Sequence, residues 1–172
     1  MKKLLMISMV FMLCFAFGCQ EEGEDMEEVA AVDIAAEKTN VQAVLDNYAK
    51  AWETLDFELF SSVFSHDSGL VIFSAVPSEN LIGWEAFQEE IQKTFAENEA
   101  VEVTFRDVVI KVYGTGDLAW VTSLEDWKLM NQDQIVSDEG ARMTWILEKQ
   151  DGQWKVIHAH WSLPQEEDTT TQ

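Results

Sequence analysis

The second half of the chain is dominated by four stretches in which apolar and polar side chains alternate: Val101 to Tyr113, Leu118 to Met130, Ala141 to Lys149 and Trp154 to Trp161. A period of two sends alternate side chains to opposite faces of a strand, so each stretch can bury one face and wet the other. Gly114-Thr115-Gly116-Asp117 joins the first pair as a turn, and Gln150-Asp151-Gly152-Gln153 joins the last, where Asp-Gly is a strong hairpin signal. Asn131 to Ser137 reads as a polar connection. The segment before these strands has a different period. Asp33 can cap a helix in which Ile34, Val41, Leu45, Tyr48 and Trp52 share one face. Asp56 can cap a second, short helix carrying Phe57, Phe60, Val63 and Phe64. Ser65 to Gly69 is a turn by composition, Leu70 to Phe73 a short strand, and Pro77 to Asn80 a loop. Gly83 then leads into a third helix, with Trp84, Phe87, Ile91 and Phe95 inward. Helices first and antiparallel strands after them define an α+β domain, with three helices covering one face of a curved sheet.

The N-terminus is a separate problem. Lys2 and Lys3 precede an apolar run from Leu4 to Gly18, short for a membrane span and suited to a secretory leader. The run ends in Ala16-Phe17-Gly18-Cys19, which resembles a bacterial lipobox, with Ala16 where Leu is usual. The expectation is a signal peptide over residues 1–18 and lipidation of Cys19, with several acyl chains giving an anchor that one chain would not. An ordinary cleaved leader or a short uncleaved anchor is the alternative. Glu21 to Glu28 holds six acids in eight residues, so residues 19–32 read as an acidic tether, and residues 164–172 as a disordered tail. The folded domain is then 33–163, lipid-anchored at the cell envelope, and attached to the membrane through that anchor alone.

Charge narrows the function. The 172 residues carry 32 Asp and Glu against 11 Lys and Arg, a formal net charge of −21, so a polyanion such as nucleic acid is repelled and excluded as a partner. With 47% hydrophobic residues the chain is nevertheless too apolar to be disordered. Both cysteines, Cys14 and Cys19, lie in the leader region, so no disulfide framework or zinc cluster holds the body. No Gly-x-Ser-x-Gly elbow, Walker loop or His-Glu-x-x-His motif occurs.

The order helix–helix–strand–helix–meander resembles the NTF2-like or SnoaL-like cone, shared with ketosteroid isomerase. The residues that carry the resemblance are Tyr48 to Asp56, Phe64 to Asp67, Gly116 to Val121 and Asp151 to Ser162, the last ending His158-Ala159-His160-Trp161-Ser162. It covers about residues 35 to 163 and implies a curled sheet around a long helix, an open apolar pocket, and pairing into homodimers through the sheets. Tyr48 falls where the isomerases keep a tyrosine donor, but their base maps to Val71 or Ile72 and their second acid near Thr144. Neither Val71 nor Ile72 can accept a proton, so isomerase chemistry is not expected. Tyr48 is then either a donor to a ligand or a core tyrosine with a satisfied hydroxyl.

His158 and His160 lie two apart on a strand and share a face. They are candidates for an acid–base role or for two metal ligands. With one further histidine, His66, in a distant turn, the reading taken is no metal and no cofactor, the rings serving a dimer seam or pocket rim. Arg142 shares a strand face with Thr144 and Ile146, which the family register assigns to the pocket. It is satisfied there either by Glu125 or Asp126, or by a ligand carboxylate. The expected pocket lining is Tyr48, Trp52, Phe64, Phe73, Arg142, Thr144 and Trp161. The expected partner is a small apolar or carboxylate-bearing molecule, bound without catalysis. The alternatives are an acid–base enzyme using Tyr48, His158 and His160, and a purely structural dimerisation module.

Overall fold

The computed structural model describes residues 32–75, 80–131 and 134–164, so the leader, Cys19, most of the tether and tail, and most of the loop at 77–80 lie outside the described residues. The elements run α1 (Ile34–Thr54), α2 (Phe57–Val63), β1 (Val71–Phe73), β2 (Leu81–Ile82), α3 (Trp84–Glu97), β3 (Ala100–Tyr113), β4 (Leu118–Asn131), β5 (Gln134–Gln150) and β6 (Gln153–Ser162).

Local chemistry sets the helix limits. The Asp33 carboxylate accepts from the amides of Ala35 and Ala36 at 3.0 and 3.1 Å, so two donors at the start of α1 that the helix cannot satisfy find a partner. Leu55 ends the helix in the left-handed region at φ 50°, its amide turned back to the α1 carbonyls. Asp56 then caps α2 by accepting from Leu59 N at 3.0 Å. Gly83, at φ 85°, starts α3 from a conformation that L side chains rarely adopt. Ile34 departs from the expected buried face of α1. It is exposed, and Val44 and Ala51 join Val41, Leu45 and Tyr48 inside.

The six strands form one sheet in the order β2-β1-β6-β5-β4-β3. Neighbours are antiparallel except β1 and β6, which run parallel from Val71–His158 to Phe73–His160. The polar segment expected to be a connection at 131–137 is largely strand. Ile135, Val136 and Ser137 pair with Met130, Leu129 and Lys128, and since Ile135 and Val136 are exposed, backbone pairing rather than burial holds them. Register shifts between Arg106 and Val109 in β3, and between Glu125 and Trp127 in β4, interrupt the ladder along its middle strands. Such bulges bend strands and increase their twist, and the sheet curves around α1.

The core fills the concave side. Trp145 is fully buried, and its ring meets Tyr48 edge-on with centroids 5.0 Å apart. Phe60, Phe64 and Phe87 pack as a cluster with centroids 4.9 to 5.6 Å apart. Phe64 is therefore part of the solid core beneath α2 and not a pocket wall.

Candidate functional site

The core is solid around Trp145 but not throughout. Between α1, α3 and the inner faces of β3, β4 and β6 lies a cavity of about 370 Å³. Its walls are mostly apolar and aromatic, with Tyr48, Trp52, Phe60, Ile72, Trp127 and Trp161 among them. The period of two in β4 places Ala119, Val121, Ser123 and Glu125 inside, so Glu125 reaches the cavity at the position where an alternating strand would normally put another apolar residue.

Glu125 is 3% exposed. The indole N–H of Trp161 donates to its Oε2, and the phenol of Tyr48 approaches it as a second hydrogen-bond partner. Burial raises its pKa to about 7, against the pull of the Trp161 hydrogen bond, with the Asp126 charge pushing further up and the Tyr48 contact down. Among the described residues no cation contributes to this shift. The Tyr48 phenol is held well above its ordinary value, first by burial and then by the Glu125 charge. Trp52 Nε1 lies towards the Tyr48 hydroxyl, but it is buried and finds no well-aligned acceptor among the described residues. The site is thus a largely apolar chamber with one carboxyl poised near neutrality and indole and phenol groups about it.

Of the residues expected to line the pocket, Tyr48, Trp52 and Trp161 do so. Four do not. Phe64 is in the core. Phe73, 44% exposed, stands on the outer sheet face, edge-on to the rings of His158 and His160. Arg142 and Thr144 also face outward, because β5 turns Ala141, Met143, Trp145 and Leu147 inward, and these apolar side chains fill the core. Arg142 is exposed and donates from Nη2 to the Leu163 carbonyl at 3.0 Å. Neither acid named as its partner is used. Asp126 forms a two-pronged pair with Arg106 on the outer face, and Glu125 points the other way. Val71 lies in β1 and Ile72 on the cavity wall.

The histidines are separate from the cavity. His158 Nδ1 donates to the Val71 carbonyl at 3.0 Å, fastening β6 to β1. His160 is exposed beside Phe73, and His66 stacks on Trp84 with its Nε2 donating to Ser61 O at 2.9 Å. Among the described residues no group of three or more His, Cys, Asp or Glu is placed to share a metal ion. Glu125 was missed as a site residue, although the signal was available: a lone acid on the inward parity of β4.

A family model described as the SnoaL-like domain matches residues 41–166, and the chain belongs to that family. Among solved structures it is similar to a nuclear transport factor 2 (NTF2-like) superfamily protein from Salmonella enterica serovar Typhimurium, at 17% identity over 80% of this chain and 98% of that one, TM-score 0.68. It is also similar to a candidate aromatic ring hydroxylase from Novosphingobium aromaticivorans, at 18% identity over 77% and 92% of the two chains, TM-score 0.68. A candidate dehydratase of the NTF2-like family from Streptomyces avermitilis matches at 19% over 77% and 99%, TM-score 0.68. No curated protein matches the chain significantly. The fold is common to these neighbours while the activities in their names differ, so the function has to be argued from the site.

Proposed function

We propose that this domain binds a small, largely apolar molecule in the cone cavity, and that a lipid on Cys19 holds it at the bacterial envelope. The observation that carries the binding reading is the chamber itself. A module that only dimerised would close about 370 Å³ of apolar space with side chains, as protein interiors do, whereas this volume falls within the range of small-molecule pockets. The leader pattern ending at Cys19 supports the anchor.

Thermal melting with 2-naphthol as a flat, neutral probe tests the binding. A bound probe raises the melting temperature with dose, since occupancy at a hundredfold excess over Kd stabilises by about 2.7 kcal/mol. Thr94→Trp, on the half-buried α3 wall, should fill the chamber and abolish the response while the variant still melts cooperatively. A response unchanged by that substitution places the probe elsewhere and rejects the reading.

One observation favours a second reading, proton-transfer catalysis. Glu125, with a pKa of about 7 beside the Tyr48 phenol, has the protonation behaviour of a general acid or base, whereas the aliphatic Val71 and Ile72 do not. Its signature is isotope exchange at an acidic carbon of a bound ketone.

A further inference from the structure

We propose that the molecule this cavity takes is an organic cation: an ammonium ion with apolar substituents, its charge set against Glu125 and its body among the indoles of Trp52, Trp127 and Trp161. The inference rests on the binding reading above and names its ligand class.

A buried carboxylate is ordinarily matched by a buried cation, and Glu125 has none among the described residues: its partners are an indole N–H and a phenol. The charged side chains that line the chamber are all acids, Glu90, Glu125 and Asp138, with no Lys, Arg or His among the described lining residues. The nearby cations are engaged elsewhere. Arg106 is held by Asp126 on the opposite face of the sheet, and Lys93, largely exposed, meets Glu90 from the solvent side at 3.9 Å.

This distribution selects by charge. An anionic ligand would meet three acids and no cation, in a chain of net charge −21. A neutral ligand would leave Glu125 protonated and draw nothing from its charge. An alkylated ammonium is weakly hydrated, so entering the chamber costs it little, and aromatic faces attract it. It supplies the one interaction the site lacks.

The inference also fixes how binding depends on pH. The titratable groups about Glu125 are Tyr48 from α1, Glu90 from α3, Asp138 from β5 and its neighbour Asp126 in β4. Tyr48 stays neutral up to high pH, and the other three are carboxyl groups, none of which opposes a cation. Glu125 is therefore the group that switches near neutrality.

The test uses benzyltrimethylammonium, 3-phenylpropan-1-ol and 3-phenylpropanoate, three probes of similar size and different charge, titrated calorimetrically into the full chain. The quaternary ammonium cannot lose a proton, so any dependence on pH belongs to the protein. At pH 8 it should bind at least about tenfold more tightly than the alcohol, and the carboxylate should bind least, as charge complementarity requires. Between pH 8 and pH 6 its affinity should fall about tenfold as the ionised fraction of Glu125 drops. At pH 7 each binding event should release about half a proton, read from the heats in two buffers of different ionisation enthalpy. Glu125→Gln, which keeps size and hydrogen bonding, should lose the preference for the ammonium and the proton release while retaining the alcohol. The inference is overturned if the alcohol or the carboxylate binds as tightly as the ammonium, or if the preference survives in Glu125→Gln; the cavity-binding reading would then still stand. If none of the three binds, both readings fall.

Discussion

Replacing Glu125 with Gln should make the protein more stable, and increasingly so as pH rises. In the folded chain the carboxyl titrates at about 7 instead of its ordinary 4.5, because burial opposes its ionisation. At roughly 1.4 kcal/mol per pH unit, that displacement corresponds to about 3 kcal/mol. The sign follows from which state holds the proton more tightly. Below pH 4.5 the group is protonated in both states and costs nothing. Between 4.5 and 7 the unfolded chain ionises while the folded chain keeps its proton, so stability is lost as pH rises, and the loss is complete above 7. About 2 kcal/mol of it should develop between pH 5.5 and 8.5, a range that stays above the isoelectric point near 4.2. The amide of the Glu125→Gln variant has no such titration. Urea denaturation of both proteins, followed by tryptophan fluorescence at pH 5.5, 7 and 8.5, measures the difference directly. The remaining carboxylates act equally on both chains and cancel, as does any fixed difference in hydrogen bonding to Trp161. The free-energy gap should widen in favour of the variant by about 2 kcal/mol across that range. A constant gap would mean that Glu125 is solvated or paired with a cation, and the reasoning about the site would fail with it.

Two further outcomes bear on function. If Glu125 moves protons, wild-type protein in D₂O should exchange the acidic hydrogens of a bound ketone such as 2-tetralone faster than Glu125→Gln does, by the 10²- to 10⁴-fold typical of general acid–base groups; equal exchange by NMR rejects the catalytic reading. If Cys19 carries the anchor, Cys19→Ala should eliminate incorporation of labelled palmitate in a bacterial host and release the domain from the membrane fraction, and retention of both label and membrane association would reject lipidation at that residue.

Much of the fold was legible because the signals are local. Asp33 and Asp56 cap the helices they were expected to cap, and Gly152 turns the β5–β6 hairpin at φ 78°. Leu118 begins a strand after the Gly114 to Asp117 turn. What escaped depends on pairing across the sheet. Residues 135–137 look like a loop by composition, and only their partners in β4 make them strand. β2 is two residues long, too short to show a period at all. The site was less legible for a related reason. A strand's alternation shows that two faces exist, and the choice between them rests on volume. In β5 the family register favoured Arg142 and Thr144, whereas Met143, Trp145 and Leu147 have the bulk to fill the core and so take the inward face. Aromaticity alone points to Phe73 as pocket lining, although the face it shares with His158 and His160 is the outer one.

The same rule of parity explains why the most informative residue is an acid that no cation among the described residues neutralises. Glu125 and Asp126 are adjacent, so an extended strand sends them to opposite sides of the sheet, and Arg106 can reach Asp126 only. One step along β4 therefore separates a satisfied ion pair on the solvent side from an uncompensated carboxyl on the cavity side. Packing does not require the acid there: an inward position on β4 is filled by Val121 nearby, and a side chain of that kind would remove about 3 kcal/mol of destabilisation above pH 7. A break in the apolar pattern with no compensation inside the protein is what a binding or catalytic site looks like before its ligand arrives. On the binding reading proposed above, the missing counter-charge specifies the ligand, and the Glu125→Gln variant is the point where stability and binding should change in opposite directions.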